Sequence, residues 1–510
     1  MKKKVIYTSI LNKETSHFIK HMYEVYSWEP TIIILDKHLL PHYKKQFPNT
    51  IFLISMEMRQ NKFDYKIIES FQSIDQNIID KLSTKQSNFL SWLQDTSGWN
   101  FSFIQRRDFY YQNLNFFNSL LKQYKVDLFI SFTWPHVTCD YALYLMCKKV
   151  FSVPVLFYDV IPHFENQSRI IHSSYENMSE TINCFYKNQN LLKENLNHQA
   201  INEYIENITC NKPKLKSNII NFYKSNSFSF KELFIDLLKF LKQLLFLQLG
   251  NKSNLAFKKN RKPFSKYSQL NQFDEFNFKY KTMLNNFILK RVYFKLCEKF
   301  NLNENYIFYP GPLQPEATSN LIPGVYEDCF LILDMIKTCI PKNWKVFYKE
   351  HPATFSPKSQ GSLGKNIDFF ERLKKYDFIK IIPFETNTYS LIDNSQCVIT
   401  AGGSAGWEAL MRNKPCILFG NMWYEDCKSV FKIKKNDDLK NAFLQITSGK
   451  KPDTEDVQFY LKCMFLASSN KAEYLNVKKI EINFFEDYIK SLPSLGKDLV
   501  QTFNRVYQKN

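Results

Sequence analysis

Tyr348-Lys349-Glu350-His351-Pro352 and, further along, Thr400-Ala401-Gly402-Gly403-Ser404-Ala405-Gly406-Trp407-Glu408-Ala409-Leu410 are the two stretches whose reading decides the fold. Each closes an apolar run, over 344–348 and 396–400, that reads as a buried strand. Each then places small or polar residues where that strand would end. In open α/β sheets, ligands bind outside the C-terminal ends of the strands. A Gly-Gly-Ser turn running into a helix offers bare backbone N–H groups, a hydroxyl and the positive end of the helix dipole to an anion. Two such strand ends in one region predict a nucleotide cleft.

Outward from these stretches, the second half alternates strands at 306–309, 344–348, 378–382, 396–400 and 415–419 with helices at 326–340 and 407–413. The first half does the same. Strands are predicted at 4–9, 31–35, 51–55, 126–132 and 153–158. Helices are predicted at 14–26 and 139–150, with a polar, aromatic helical region up to about 124. Alternation of this kind argues for βαβ units and parallel sheets. Over 165–300 Asn, Lys and Phe dominate and the strands vanish, and from 454 the chain reads as helical. A chain of 510 residues is also longer than one core serves. The expected division is a lobe at 1–164, a helical basic insert at 165–300, a second lobe at 301–453 and C-terminal helices at 454–510.

Hydrophobic residues make up 44% and aromatics 16%, which excludes wholesale disorder. The formal charge of +19 fits either a lysine-rich solvated surface or attraction to anionic lipid or phosphorylated glycan. No zinc-finger spacing, RNP-like stretch or helix-turn-helix points to nucleic acid. Eleven cysteines without a C-x-x-C pair form neither a disulfide framework nor a zinc site, which predicts a reducing, cytoplasmic setting. The start, Met1-Lys2-Lys3-Lys4-Val5-Ile6-Tyr7, reads as a first strand rather than a signal peptide. Residues 230–249 carry Leu233, Leu237, Leu241, Leu244, Leu245 and Phe246 at helical spacing, and Lys258-Lys259-Asn260-Arg261-Lys262 follows. The pair is either a membrane-surface helix with a basic flank or an ordinary amphipathic helix with an exposed basic loop.

Among the residues that carry chemistry, His351 stands between a strand and a proline that forces the chain to turn. Its imidazole can donate to a phosphate, or neutralise a leaving group when protonated. Lys349 can assist the phosphate, while Glu350 can pair with a neighbour. Gly402 and Gly403 permit positive dihedrals and close ligand approach. Ser404, Ala405 and Gly406 open the helix, and Glu408 one turn in can accept from ribose hydroxyls. Seven of the 12 glycines lie between Gly311 and Gly406, which concentrates backbone freedom in this region. Tyr309-Pro310-Gly311-Pro312-Leu313-Gln314-Pro315-Glu316-Ala317-Thr318 closes the first strand of the second half, with Gln314, Glu316 and Thr318 available to the cleft. In the first half, Thr133-Trp134-Pro135-His136 and Asp159-Val160-Ile161-Pro162-His163 end strands. Asp159 or Glu316 can act as base, and His136, His163 or Arg169 can bind an acidic sugar.

Taken together, Leu313-Gln314-Pro315-Glu316-Ala317-Thr318, Lys349-Glu350-His351-Pro352, and Gly403 through Leu410 with Lys414-Pro415 and Phe419-Gly420 resemble the capsule polysaccharide biosynthesis family, which includes Kdo transferases. The resemblance covers about residues 305–430. It implies a GT-B-like α/β architecture: two Rossmann-like lobes facing a cleft, with the nucleotide held by the C-terminal lobe. The His-Pro pair and serine loop also look like those of bacterial sialyltransferases, which use CMP-activated acidic sugars. By that likeness His351 would contact the donor phosphate, Ser404 and adjacent amides the phosphate or cytidine, and Glu408 the ribose. The implied catalytic set is His351, Glu316 and Asp159. The implied donor site is Gln314, Lys349, His351, Gly402, Gly403, Ser404, Ala405, Gly406 and Glu408. The expected substrates are a nucleotide sugar, CMP-linked, and a glycan or glycolipid acceptor. Neither a metal nor a resident cofactor is expected, and contact with the anionic inner-membrane surface is. A nucleotide-sugar epimerase and a non-catalytic assembly subunit are the alternatives.

Overall fold

The computed structural model describes residues 2–59, 61–97, 103–135, 138–161, 168–188, 198–209, 234, 235, 238, 272–356, 359, 361–478 and 480–508. The predicted helix at 230–249 and basic run at 258–262, like His136 and His163, lie essentially outside this set.

Among the described residues the strands form two sheets. The first contains β1 (Lys3–Ile10), β2 (Trp28–Leu35), β3 (Ile51–Ile54), β4 (Leu128–Ser131), β5 (Val155–Val160) and β6 (Arg169–His172). The second contains β7 (Tyr306–Pro310), β8 (Lys345–Lys349), β9 (Ile379–Ile381), β10 (Cys397–Thr400), β11 (Cys416–Leu418) and β12 (Val430–Lys432). A short β13 (Ser468–Ser469) returns to the first sheet, giving the orders β13-β6-β5-β4-β1-β2-β3 and β12-β11-β10-β7-β8-β9. Each order reverses once, between β4 and β1 in the first sheet and between β10 and β7 in the second. Both are Rossmann-like, and the predicted two-lobed α/β architecture holds.

Both faces of each sheet are covered, which explains the continuous apolar runs. In β7, Ile307 and Tyr309 enter one core layer with Val346, Tyr348 and Ile399, while Tyr306 and Phe308 enter the opposite layer with Phe347 and Val398. Tyr306 stacks on Phe347 with ring centroids 4.0 Å apart. One face of the first sheet is closed by the chain's end. Tyr488, Leu492, Leu495, Leu499 and Phe503 of the helix Ile482–Tyr507 share a core with Val5, Tyr7, Ile33, Ile130 and Tyr158. Tyr507 Oη accepts from the Val155 amide at 3.1 Å and donates to its carbonyl at 3.0 Å.

Several local expectations are corrected. Strands do not vanish after 165: Arg-Ile-Ile-His forms β6, with Ile170 and Ile171 buried, antiparallel to β5. The helix expected at 326–340 spans Cys329–Cys339, because Asp328 caps it by accepting from the Phe330 amide and Gly324–Glu327 is a separate 3₁₀ turn. The helix expected at 407–413 already begins at Ser404. The helix expected at 139–150 is α-helical only over Thr138–Leu145 and widens to a π-turn over Met146–Val150. The strand β12 lies outside the expected strands, since no alternation marks it.

A buried ion pair joins the ends of β7 and β8. Lys365 Nζ lies 2.8 and 2.9 Å from the two oxygens of Glu350, and both side chains are fully buried. The same ammonium donates to the Pro312 carbonyl at 2.6 Å. Glu350 further accepts from Tyr348 Oη, Thr354 Oγ1 and the His351 amide. Removing one partner leaves a buried charge alone. Lys365→Met is therefore expected to lower unfolding free energy by about 3–5 kcal/mol, read from urea denaturation.

Candidate functional site

The reversal between β7 and β10 is the topological switch point of the second sheet, where the connecting loops diverge and leave a crevice. A cavity of about 370 Å³ occupies it. Its wall comes from three neighbouring strand ends: Tyr309 to Leu313 with Glu316, Thr318 and Ser319 after β7, His351 after β8, and Thr400 to Ala405 after β10. Pro323, Tyr326 and Glu327 close the remaining side. Of the expected site residues, His351, Glu316, Gly402, Gly403, Ser404 and Ala405 line this one cavity. Gln314, Lys349, Gly406, Glu408 and Asp159 are not in its wall.

His351 is held by its own turn. Its Nδ1 accepts the Ala353 amide at 3.2 Å, and its backbone N–H donates to Glu350 Oε1 at 2.8 Å. With Nδ1 accepting, the neutral ring carries its proton on Nε2, a donor. Burial pushes the ring's pKa down to about 4 against the pull of Glu350, with Lys365 and Lys349 adding to the depression. In the empty site His351 is thus a neutral donor near pH 7. The imidazolium reading is not the resting state.

The glycine loop works by exposure. Gly403 is extended at φ 176°, and neither Gly402 nor Gly403 lies in the left-handed region. A Cβ at Gly402 would meet its nearest neighbour at 3.4 Å and one at Gly403 at 3.6 Å, so neither is needed for packing. The expected positive dihedrals are absent; the glycines leave main chain uncovered at the cavity. No side chain caps the helix Ser404–Met411, whose first-turn amides face this loop. Tyr424 Oη donates to the Gly403 carbonyl at 2.6 Å and anchors the turn.

The other expected residues serve behind the wall. Ser404 Oγ donates to Glu408 Oε1 at 2.7 Å, and Glu408 is buried. Lys349 donates to the Thr386 carbonyl at 3.1 Å and to Thr388 Oγ1 at 2.5 Å; burial lowers its pKa to about 8, against attraction to Glu408. Gly406 is where the helix meets the sheet: a Cβ there would lie 2.7 Å from Cys416 Sγ. Gln314 donates to the Glu327 carbonyl at 2.9 Å. Asp159 sits in the first sheet, 3.6 Å from His172 Nε2 across the β5–β6 pair. Arg169 pairs with Glu473 at 3.1 Å.

Two groups escaped the sequence reading. Glu327 lines the cavity, and burial, with Asp328 adding to it, raises its carboxyl to about 7 despite a 3.2 Å hydrogen bond from Asn320. Asn320 also accepts the Glu316 amide at 3.0 Å, so one side chain braces both acids. Only the expected helix over 326–340 concealed Glu327, which lies in the turn before it. At the switch point of the first sheet, Ser9 (φ 63°) reaches Ser131 Oγ at 3.1 Å, and Thr8 Oγ1 donates to buried Asp140 at 3.4 Å. Among the described residues no cluster of three or more His, Cys, Asp or Glu is placed to hold a metal ion.

The depressed His351 pKa has a sign. The unfolded chain takes up its proton near pH 6.5 and the folded chain only near 4, so stability falls as pH drops through that window. His351→Asn, which can keep the acceptor for the Ala353 amide, is expected to flatten this part of the decline, measured as the difference between wild-type and variant urea midpoints from pH 7 to 4.

No curated protein matches the chain. Among solved structures, the UDP-GlcNAc 2-epimerase of Methanocaldococcus jannaschii aligns at 11% identity over 90% of this chain and 98% of its own, with TM-score 0.24. The beta Kdo 2,7 transferase of Thermosulfurimonas dismutans KpsC aligns at 13% identity over 78% and 97%, with TM-score 0.30. The beta Kdo 2,4 transferase of the same KpsC aligns at 15% over 36% and 55%, with TM-score 0.23. Scores of this size carry no statement about activity. The segment that builds the cavity is more specific: over residues 251–428 the chain matches the family described as capsule polysaccharide biosynthesis protein, the family its motifs resemble.

Proposed function

We propose that the chain is a glycosyltransferase of surface polysaccharide synthesis that transfers a sugar from a CMP-linked donor, an acidic sugar such as Kdo, to a glycan or glycolipid acceptor without a metal. The observation that carries this reading is the cavity at the β7–β10 switch point, where uncapped helix amides, two bare glycines and the His351 donor converge. Such a wall suits a phosphate. In the reaction, an acceptor hydroxyl attacks the anomeric carbon, the bond from that carbon to the phosphate oxygen breaks, and CMP departs with the electron pair. His351 Nε2–H and the loop amides stabilise the charge growing on the leaving phosphate. A carboxylate takes the acceptor's proton; Glu316 is the exposed acid at the cavity, and Asp159 is the first-lobe alternative.

The test is thermal shift and donor hydrolysis with a panel of CMP-, UDP- and GDP-sugars. CMP is expected to stabilise the protein, and His351→Ala to weaken its binding roughly ten- to a hundredfold by removing one hydrogen bond to a charged group. A preference for UDP overturns the donor assignment and favours an epimerase. No response to any nucleotide favours the assembly subunit.

Glu327 adds a second expectation. A phosphate entering beside a carboxyl that titrates near 7 raises that carboxyl further, so binding takes up a proton. Calorimetry at pH 7 in buffers of different ionisation enthalpy is expected to show this uptake, and Glu327→Gln to abolish it.

A further inference from the structure

The helix Gln272–Leu296 packs on the second lobe through Thr282, Asn286, Leu289 and Tyr293, spaced four, three and four residues apart. Tyr293 donates to the Ile382 carbonyl at 2.5 Å, and Asn286 donates to the carbonyls of Ser356 and Ser359. That face is fully accounted for.

The opposite face is not polar. Leu284 is 55% exposed, Phe287 57%, Ile288 41% and Phe294 38%. A helix apolar on both faces ordinarily has a partner on each. Cations are interleaved with this outward row: between Tyr280 and Leu296 the sequence holds Lys281, Lys290, Arg291 and Lys295 and no acid. The Arg291 guanidinium lies over the Phe287 ring, 5.7 Å from its centre. Ile288 continues the row into a cavity of about 390 Å³ that it shares with Ile367, whose rim also carries the exposed acid Asp368.

We propose that this outward face of the helix docks on an anionic phospholipid surface, with Leu284, Phe287 and Ile288 entering the headgroup boundary and Lys281, Arg291 and Lys295 meeting the phosphates. Apolar side chains and cations sharing one helix face form the pattern that binds a bilayer interface without crossing it. Charge argues against a second copy of the chain. A two-fold contact through this face would set like cations against one another. Among the described residues no helix is long and apolar enough to span a membrane. The inference does not depend on the donor nucleotide or on the reaction.

The experiment is co-sedimentation of the full chain with phosphatidylcholine vesicles, with and without phosphatidylglycerol. Binding is expected only to the anionic vesicles and weakens as salt is raised. The charge variant K281E/R291E/K295E and the apolar variant F287S/I288S are each expected to lower the partition coefficient roughly tenfold or more. Both keep the wild-type nucleotide response, since none of the substituted side chains lines the β7–β10 cavity. No binding of the wild type to anionic vesicles overturns the proposal. Undiminished binding of both variants overturns it as well, because another basic segment then carries the contact. A dimer in analytical ultracentrifugation that F287S/I288S dissociates, with vesicle binding unchanged, assigns the face to a second copy instead.

Discussion

The Glu350–Lys365 ion pair is the constraint on which the site depends. Two opposite charges without solvent access cannot be justified by attraction alone, since desolvation costs several kcal/mol per ion. What offsets that cost is the number of further hydrogen bonds: Tyr348, Thr354 and the His351 amide on the carboxylate, and the Pro312 carbonyl on the ammonium. Those partners belong to the ends of two adjacent strands. The pair therefore sets the spacing between the loop after β7 and the turn that presents His351. A neutral replacement of similar shape could fill the volume but could not bind both loops at once.

From that clamp the electrostatics of the cavity follow. His351 is half-buried beside two lysines, and the desolvation of its ring keeps it neutral, so it donates rather than carrying charge. Glu327, half-buried with Asp328 nearby, is raised to about 7 and is partly protonated near neutral pH for the same reason of poor solvation. With His351 uncharged and Glu327 only partly ionised, the helix amides supply the main attraction for an anion, against the exposed carboxylate of Glu316. Adding an anionic ligand then shifts both groups toward their protonated forms. Binding and protonation are coupled by geometry rather than by any single strong charge.

The lobes are also joined away from the cavity. Trp407, Trp423 and Tyr424 of the second lobe share one apolar cluster with Tyr144 and Phe157 of the first and with Tyr204 of the stretch between them. Asp426 accepts from Ser179 and Asn183, and Tyr186 donates to Asp456. Ser179, Asn183 and Tyr186 lie in the stretch expected to be a helical basic insert. The C-terminal helix then returns to close the first sheet, which ties the lobe that begins the chain to the segment that ends it.

The sequence by itself determined most strands of the two sheets, because apolar runs of strand length with turn residues between them have few other solutions; β6, β12 and β13 were settled only by pairing in the fold. It also marked strand ends that meet at one cavity: His351, Glu316 and residues 402–405 were legible because proline, glycine and a lone histidine are conspicuous there. Their roles were less legible. The glycines read as sources of positive φ, but only the backbone geometry shows that they bare the main chain. Gln314, Lys349, Gly406 and Glu408 read as ligand contacts, yet they brace the wall from behind, because facing direction depends on neighbours distant in sequence. Glu327 and Asp140 gave no local signal at all. A carboxyl acquires its character from burial and from charges brought up by the fold, and neither is written in the residues beside it.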